Sequence, residues 1–368
     1  LEKNIFIHVG PPKTGTSAVQ KWFSENVREL QNLGVFYPSH EVDQNGVSSG
    51  NVRTIYDINS EKKIELNLEK LNSLIEKFEN SQYHTLLLSS EFFFRGMLEL
   101  KKYIPKAKFI AYIRNPMEIK ESSYNQSVKR HFQQRVLNAG RSQRLPYMDR
   151  LVSYVEANSG DDLTIRLYGK QYFENANIVS DVLSLLGINL DVDLPFVNNS
   201  YQFEALEFKR WFNQFELEQY QVIVDRTLQA YNEGCSRYSL IPTQQYIEDS
   251  RYYSQLIERY ALELKTNDLL PLVEDMQDAS PTPYLKQELT QDAFLSVCHF
   301  LQETLKVDYY LLTRHVGKIK KTKDDRFYEL FVSSYEQKYK FLFIVSLFRM
   351  KVKSALNLLK RKVNHFRR

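Results

Sequence analysis

The run Gly10-Pro11-Pro12-Lys13-Thr14-Gly15-Thr16-Ser17 packs two glycines, a lysine and three hydroxyls into eight positions. That combination is suited to holding an anion. The apolar stretch Asn4 to Val9 leads into it, and Ala18, Val19, Trp22 and Phe23 recur after it at helical spacing. The pattern predicts strand, glycine loop, helix. Successive backbone N–H groups at such a turn converge on one point, and the helix dipole favours negative charge there. A phosphate-type group is the expected guest, with Lys13 as countercharge. In ATP-hydrolysing P-loops the lysine follows the second glycine, whereas Lys13 precedes Gly15 by two positions. No hydrophobic strand ends in a magnesium-holding Asp, which further weakens an ATPase or kinase reading. The bland alternative is a strand-to-helix turn that needs only glycine and a threonine cap. It leaves Lys13 and the hydroxyls without a task.

Three more apolar runs set the frame around this loop. Thr85 to Ser89 ends at Ser90-Glu91-Phe92, and Lys108 to Ile113 ends at Arg114-Asn115-Pro116. The second is followed by a polar helical stretch from Met117 to about Arg135. Leu163 to Tyr168 precedes an apolar-periodic segment ending at Leu186-Gly187, where the glycine reads as a helix C-cap. Short apolar strands alternating with helices predict an α/β fold with a central, mostly parallel sheet flanked by helices. Ligands bind such sheets at the carboxyl ends of the strands. The glycine loop, Glu91 and Arg114 all fall there. After Asn198-Asn199-Ser200 the chain becomes aromatic-rich and amphipathic through residues 203 to 312, which predicts a helical C-terminal region.

A resemblance to a known family rests on two of these segments. Residues 5 to 20, Ile-Phe-Ile-His-Val-Gly-Pro-Pro-Lys-Thr-Gly-Thr-Ser-Ala-Val-Gln, resemble the 5′-phosphosulfate loop of sulfotransferases that use 3′-phosphoadenosine 5′-phosphosulfate (PAPS). Ala111-Tyr-Ile-Arg114-Asn-Pro-Met-Glu-Ile-Lys-Glu-Ser122-Ser-Tyr124 is similar to the same family's 3′-phosphate motif, in which a Ser follows the Arg by eight residues. An Arg at a strand end and a Ser two turns into the next helix can meet on one phosphate, the guanidinium giving paired donors and charge. Residues 163 to 187 resemble the family's next strand, turn and helix, although Gly169 stands where Glu is common. Val197-Asn-Asn-Ser200 resembles an Asn-x-Ser segment of bacterial members. The resemblance covers about residues 4 to 200 and implies a P-loop-like core.

It also implies an activity, transfer of a sulfuryl group from PAPS to an acceptor hydroxyl or amine. Lys13 would lie near the bridging oxygen and neutralise the leaving group. Pro12, Lys13, Thr14, Gly15, Thr16 and Ser17 would hold the 5′-phosphosulfate, and Arg114 with Ser122 the 3′-phosphate, a group that ATP lacks. The chemistry requires no metal. A base must take the acceptor's proton, and Glu91, placed just after a strand, is the first candidate; its alternative role is a structural ion pair or loop carboxylate. His8 is expected to pack in the core, His84 to lie at the wrong strand end, and His131 to be a secondary candidate near the acceptor. The cluster Lys129-Arg130-His131 with Arg135, Arg141 and Arg144 could line a groove for an anionic glycan or be a solvated helix face. Asn125-Gln-Ser127 matches a glycosylation acceptor by chance. The expected acceptor is a carbohydrate such as a capsular or surface polysaccharide of a bacterium. A protein tyrosine, a small molecule, or a binding-only protein with a degenerate site are the alternatives.

Composition bounds the rest. Hydrophobic residues are 43% and charged residues 26%, with 24 Tyr, 23 Phe, 12 Gly and 11 Pro, which excludes a disordered or collagen-like chain. Cys235 and Cys298 are the only cysteines and sit in no CxxC pattern, against a zinc site or disulfide framework. Residues 317 to 368 carry 15 Lys/Arg against 4 Asp/Glu, so the net +4 divides into +11 there and −7 elsewhere. The expected organisation is an α/β core over 1–200, a helical lobe over 201–316 and a basic amphipathic tail over 317–368. Within the tail, residues 338–368 read either as a helix lying on an anionic membrane surface or as one docked on the core. A nucleic-acid partner is not expected. The opening residues do not resemble a secretory leader, and Phe341 to Phe348 is too short to span a bilayer, so the expected location is cytoplasmic, peripheral to the inner face of a membrane. The chain opens on Leu rather than Met, consistent with removal of an upstream segment.

Overall fold

Runs that are apolar at nearly every position make strands covered on both faces, and here they build the central sheet. In a computed structural model, which describes residues 2–40, 48–59, 63–192, 200–278, 280–319 and 327–346, the strands are β1 (Asn4–Val9), β2 (Val35–Phe36), β3 (Tyr56–Ile58), β4 (Ile64–Leu66), β5 (Thr85–Ser90), β6 (Ala107–Ile113) and β7 (Leu163–Leu167). β3 and β4 form an antiparallel hairpin of their own. The other five form one sheet in the order β2-β5-β1-β6-β7, with every neighbouring pair parallel. The fold class is α/β, a central parallel sheet flanked by helices and followed by a helical C-terminal region.

Both sheet faces are covered. On one, Val19, Trp22 and Phe23 of the helix Thr16–Glu25 and Val179, Val182 and Leu183 of the helix Ile178–Leu185 pack with Leu87, Ile110 and Tyr112 of the strands. On the other, Tyr154 of the helix Pro146–Asn158 meets Phe109 edge-on, with ring centroids 5.3 Å apart. Register decides where the strands stop: Val9 of β1 lies opposite Ser90 of β5 and Ala111 of β6. The segments leaving β1, β5 and β6 therefore emerge close together. β5 and β6 flank β1 on opposite sides, so the strand order reverses there, the position at which open α/β sheets form a crevice.

The chain divides into two compact units. The first comprises Leu1–Ser123, Asn138–Val197 and Ile241–Thr282; the second comprises Tyr124–Leu137, Asn198–Leu240 and Pro283–Arg368. The helical stretch after residue 203 is thus shared between them. The helices Thr243–Leu264 and Leu270–Gln277 belong with the sheet. The reason is visible in Tyr253 and Tyr260, whose hydroxyls accept from the N–H groups of Ser142 and Leu145, while the Tyr260 hydroxyl also donates to Asp149 at 2.7 Å. The second unit has its own aromatic core, in which Phe208, Trp211, Phe212, Phe294, Phe327 and Phe331 interlock. Lys209 is fully buried in this unit and pairs with Asp225 and Asn213.

The helix after Arg114 is shorter than the sequence pattern predicts. It spans Pro116–Arg130 rather than reaching Arg135, because Phe132 takes a left-handed φ of 54° and Gln133 N–H turns back to the Ser127 carbonyl. The Asn213 side chain donates to the carbonyls of Val128 and Gln133 and satisfies the helix end. Among the described residues no helix is long and apolar enough to cross a membrane.

Candidate active site

The loop after β1 depends on two glycines. A β-carbon on Gly10 would stand 2.2 Å from Thr16 Oγ1, and one on Gly15, whose φ is +76°, would stand 2.8 Å from both Tyr168 and Ile178. Glycine at these positions lets the chain double back and bring the start of the helix Thr16–Glu25 against the end of β1. Lys13 also takes a left-handed φ, 67°, a conformation that a lysine adopts only under constraint from its surroundings. Thr14 is fully buried and its hydroxyl donates to the Pro11 carbonyl at 2.7 Å. Pro12 and Ser17 are exposed, and Lys13 is half-buried.

Two features leave this loop ready for an anion. The helix Thr16–Glu25 has Gly15 as its N-cap residue and no side-chain capping bond, so its positive end is not quenched from within. Thr16 Oγ1 is buried and has no hydrogen-bond partner among the described residues. A buried hydroxyl without a partner costs about 1–3 kcal/mol. It lies against Gly10, inside the turn of the loop, where an oxygen-rich ligand drawn into the loop would satisfy it.

Arg114 reaches the same loop from the end of β6. Its Nη1 donates to the Lys13 carbonyl at 3.0 Å, its Nε donates to Glu118 Oε2 at 2.9 Å, and its guanidinium carbon lies 4.8 Å from the Tyr168 ring centre. Guanidinium has five N–H donors in a rigid fork, so donors remain for a further acceptor. The Asn-Pro that follows is helix-starting chemistry: Asn115 Oδ1 accepts from Met117 N–H at 2.9 Å, and Pro116 occupies the first helical position. Glu118, which touches Arg114, is one turn before Ser122, and side chains at i and i+4 share a helix face. Ser122 therefore lies on the Arg114 side of the helix, half-buried and without a hydrogen bond to Arg114 in this structure.

Glu91 begins the 3-10 turn Glu91–Phe94 directly after β5. A β-carbon on Gly10 would be 3.4 Å from Glu91 Cγ, which puts this side chain beside the loop. Much of Glu91 is open to solvent, yet the protein mass around its carboxyl raises its pKa above the ordinary 4.5, an effect that the nearby Lys13 charge partly offsets. A carboxylate that holds its proton less reluctantly than usual, within the field of a lysine, is chemically suited to proton transfer.

His8 and His84 lie where the sequence puts them. His8 is 0% exposed, hydrogen-bonds Ser89 Oγ through Nδ1 at 2.9 Å, and burial lowers its pKa to about 4. It is a neutral core residue. His84 sits at the amino end of β5, with Nδ1 against Thr85 Oγ1, and His131 is exposed beyond the helix Pro116–Arg130. In the unfolded chain His8 takes up its proton near 6.5 and in the folded chain near 4; between those values the unfolded state binds more protons, so stability falls as pH drops. The expected loss is about 3 kcal/mol. Urea midpoints of wild type and His8→Gln at pH 7 and pH 4.5 check this: the variant should lose that part of the slope, and equal slopes would contradict it.

Sequence reasoning missed the brace behind the site. Asn51 is fully buried, and its Oδ1 accepts from Ser89 N–H at 2.9 Å while its own N–H donates to the Ser89 carbonyl at 3.1 Å. Gln20 Nε2 reaches that carbonyl at 3.3 Å. These bonds fix the end of β5, and with it Glu91. An isolated Asn and Gln carry no spacing signal, so only the fold could find them. Tyr168, under Arg114, and Glu118 were likewise without a role in the sequence.

Three members of the cationic cluster have local partners. Arg141 pairs with Glu248 and Asp249, Arg144 with Asp149, and Lys129 is buried with its ammonium 4.4 Å from the Tyr201 ring centre. Asn125 is buried, as a glycosylation match arising by chance should be. Gly187 has a φ of +78° after the helix Ile178–Leu185, as a C-terminal cap requires. Residues 197–199 lie outside the described residues. No metal-ligating group of three occurs in the loop region among the described residues; the one such group, His299, Glu303 and Glu336, is in the second unit, where Lys338 pairs with both glutamates.

Comparisons with known proteins give little. No family model matches the chain, and no curated protein matches it. Two solved structures are similar: retinol dehydratase in a complex with retinol and PAP, at 12% identity, and retinol dehydratase in complex with androsterone and inactive cofactor PAP, at 11% identity. Each alignment covers 83% of this chain and 82% of that chain, with a TM-score of 0.19.

Proposed function

We infer that the protein is a sulfotransferase that moves a sulfuryl group from PAPS to an acceptor hydroxyl or amine, with a carbohydrate as the acceptor. The observation that carries this reading is the meeting of three segments at the carboxyl end of the sheet. Lys13 on the loop after β1, Glu91 after β5 and Arg114 after β6 come together through the Arg114 bond to the Lys13 carbonyl and the place of the Glu91 side chain beside Gly10. The unpartnered Thr16 hydroxyl and uncapped helix start supply the anion cradle that the donor's 5′-phosphosulfate needs. The free donors of Arg114, with Ser122 on the same side of the helix, suit a 3′-phosphate.

The roles follow from charge. Sulfuryl transfer asks the protein mainly to position two reactants and stabilise developing charge, as phosphoryl transfer does. Lys13 neutralises the departing phosphate oxygen, the loop backbone with Thr14, Gly15, Thr16 and Ser17 holds that phosphate, and Pro12 shapes the turn. Glu91 accepts the acceptor's proton. None of these steps calls for a metal. The test is transfer of labelled sulfate from PAPS to a panel of neutral and anionic polysaccharides, tyrosine peptides and small phenols. Label in a polysaccharide supports the reading, label only in the others reassigns the acceptor, and no transfer with any acceptor counts against the activity.

A further inference from the structure

The second unit holds a cationic cavity that the proposed activity does not use. Its volume is about 480 Å³, and its walls include Tyr220, Tyr310, Arg314, Lys318, Lys340 and Phe343, with no Asp or Glu among the lining residues. Arg314 makes only a long 3.4 Å bond to the Tyr310 hydroxyl. Among the described residues no carboxylate pairs with Arg314, Lys318 or Lys340. Like charges gathered with no carboxylate among the described residues to pair them repel one another, and an anion relieves the repulsion.

What lies beside the cavity tells which anion. Residues 337–346 are helical and dock through Tyr339 and Phe343, one turn apart: Tyr339 is 4% exposed and donates to Glu303, and Phe343 lies 5.8 Å from the Tyr310 ring. Three large apolar side chains of this stretch are open to water. Phe341 is 65%, Leu342 50% and Ile344 53% exposed. A soluble phosphate ester would gain nothing from three large apolar side chains at the rim, whereas a bilayer takes up both the apolar groups and the charge. Residues 347–368, which lie outside the described residues, add eight Lys/Arg and no Asp or Glu. We propose that this cavity binds phosphate headgroups of an anionic phospholipid bilayer, with Phe341, Leu342 and Ile344 entering the interface.

The test is cosedimentation of the full chain with phosphatidylcholine vesicles, with and without about a third phosphatidylglycerol. Wild type should partition at least tenfold better onto the anionic vesicles. The combined variant Arg314→Gln, Lys318→Gln, Lys340→Gln keeps the basic tail, and should lose at least tenfold, since each basic residue near an anionic surface is worth roughly fivefold. Phe341→Ser with Leu342→Ser changes exposed positions only, so folding is preserved, and should also weaken partitioning. Equal binding to neutral vesicles, or variants that bind like wild type, would overturn the proposal. So would a thermal shift with inorganic phosphate that needs the three basic residues but no vesicle binding, because the ligand would then be a free phosphate.

Discussion

Replacing Lys13 with alanine is expected to lower kcat for sulfuryl transfer about 10³-fold and to change affinity for adenosine 3′,5′-bisphosphate less than about tenfold. The substitution is unusually clean. Lys13 contributes its carbonyl to Arg114 and its left-handed φ to the loop, and alanine keeps the first and tolerates the second about as well as lysine does. What is lost is the side chain beyond Cβ, with its ammonium. That charge is worth most when negative charge grows on the departing phosphate oxygen, so its removal raises the barrier more than it weakens the ground state. Steady-state kinetics with labelled PAPS, beside calorimetric affinity for the bisphosphate, separate the two. A large loss of affinity with kcat preserved would make Lys13 a binding group and leave the chemistry without its principal cation.

Glu91→Gln is expected to cost about 10²- to 10⁴-fold in rate, the usual contribution of a general base. The pH profile is the sharper readout. The crowded surroundings of Glu91 raise its pKa, so wild-type activity should fall on the acid side at a pH above the ordinary carboxylate range, because the base is lost as it protonates. The glutamine variant should be slow and lack that limb. Stability should move the other way: a carboxylate whose folded pKa is raised destabilises the fold as pH rises past its unfolded value, so at neutral pH the glutamine variant should melt no lower than wild type. A structural ion pair with Lys13 would give the reverse, a lower melting temperature and an unchanged pH profile.

The sheet was legible because its strands are buried on both faces and so almost wholly apolar. β1 runs Asn4–Val9 as the sequence predicts, and the other predicted strands agree within a residue at each end. The convergence of Gly10, Glu91 and Arg114 was legible too, since parallel strands in register must end together. The helical half was harder. Amphipathic periodicity shows that Thr243–Leu264 is a helix, but not that its tyrosines bond to the segment around residues 142–149, which is a matter of tertiary contact. The helix stop at Arg130 depends on Phe132 in a conformation that propensity disfavours and on an Asn from residue 213. The brace of Asn51 and Gln20 on Ser89 was invisible for the same reason: single amides, far apart in the chain, acquire meaning only when the fold brings them to one carbonyl.

The central claim is that this cleft recognises a 3′-phosphorylated adenosine nucleotide, and calorimetric binding of adenosine 3′,5′-bisphosphate and of AMP to wild type and Arg114→Ala tests it most directly. Charge-assisted bonds from the remaining Arg114 donors are worth about 1.5–3 kcal/mol, so wild type should bind the bisphosphate roughly 10- to 100-fold more tightly than AMP. Arg114→Ala should erase most of that difference, beyond any loss common to both nucleotides from the missing bond to the Lys13 carbonyl. Equal binding of the two nucleotides by wild type, or an equal loss of both in the variant, would contradict the account.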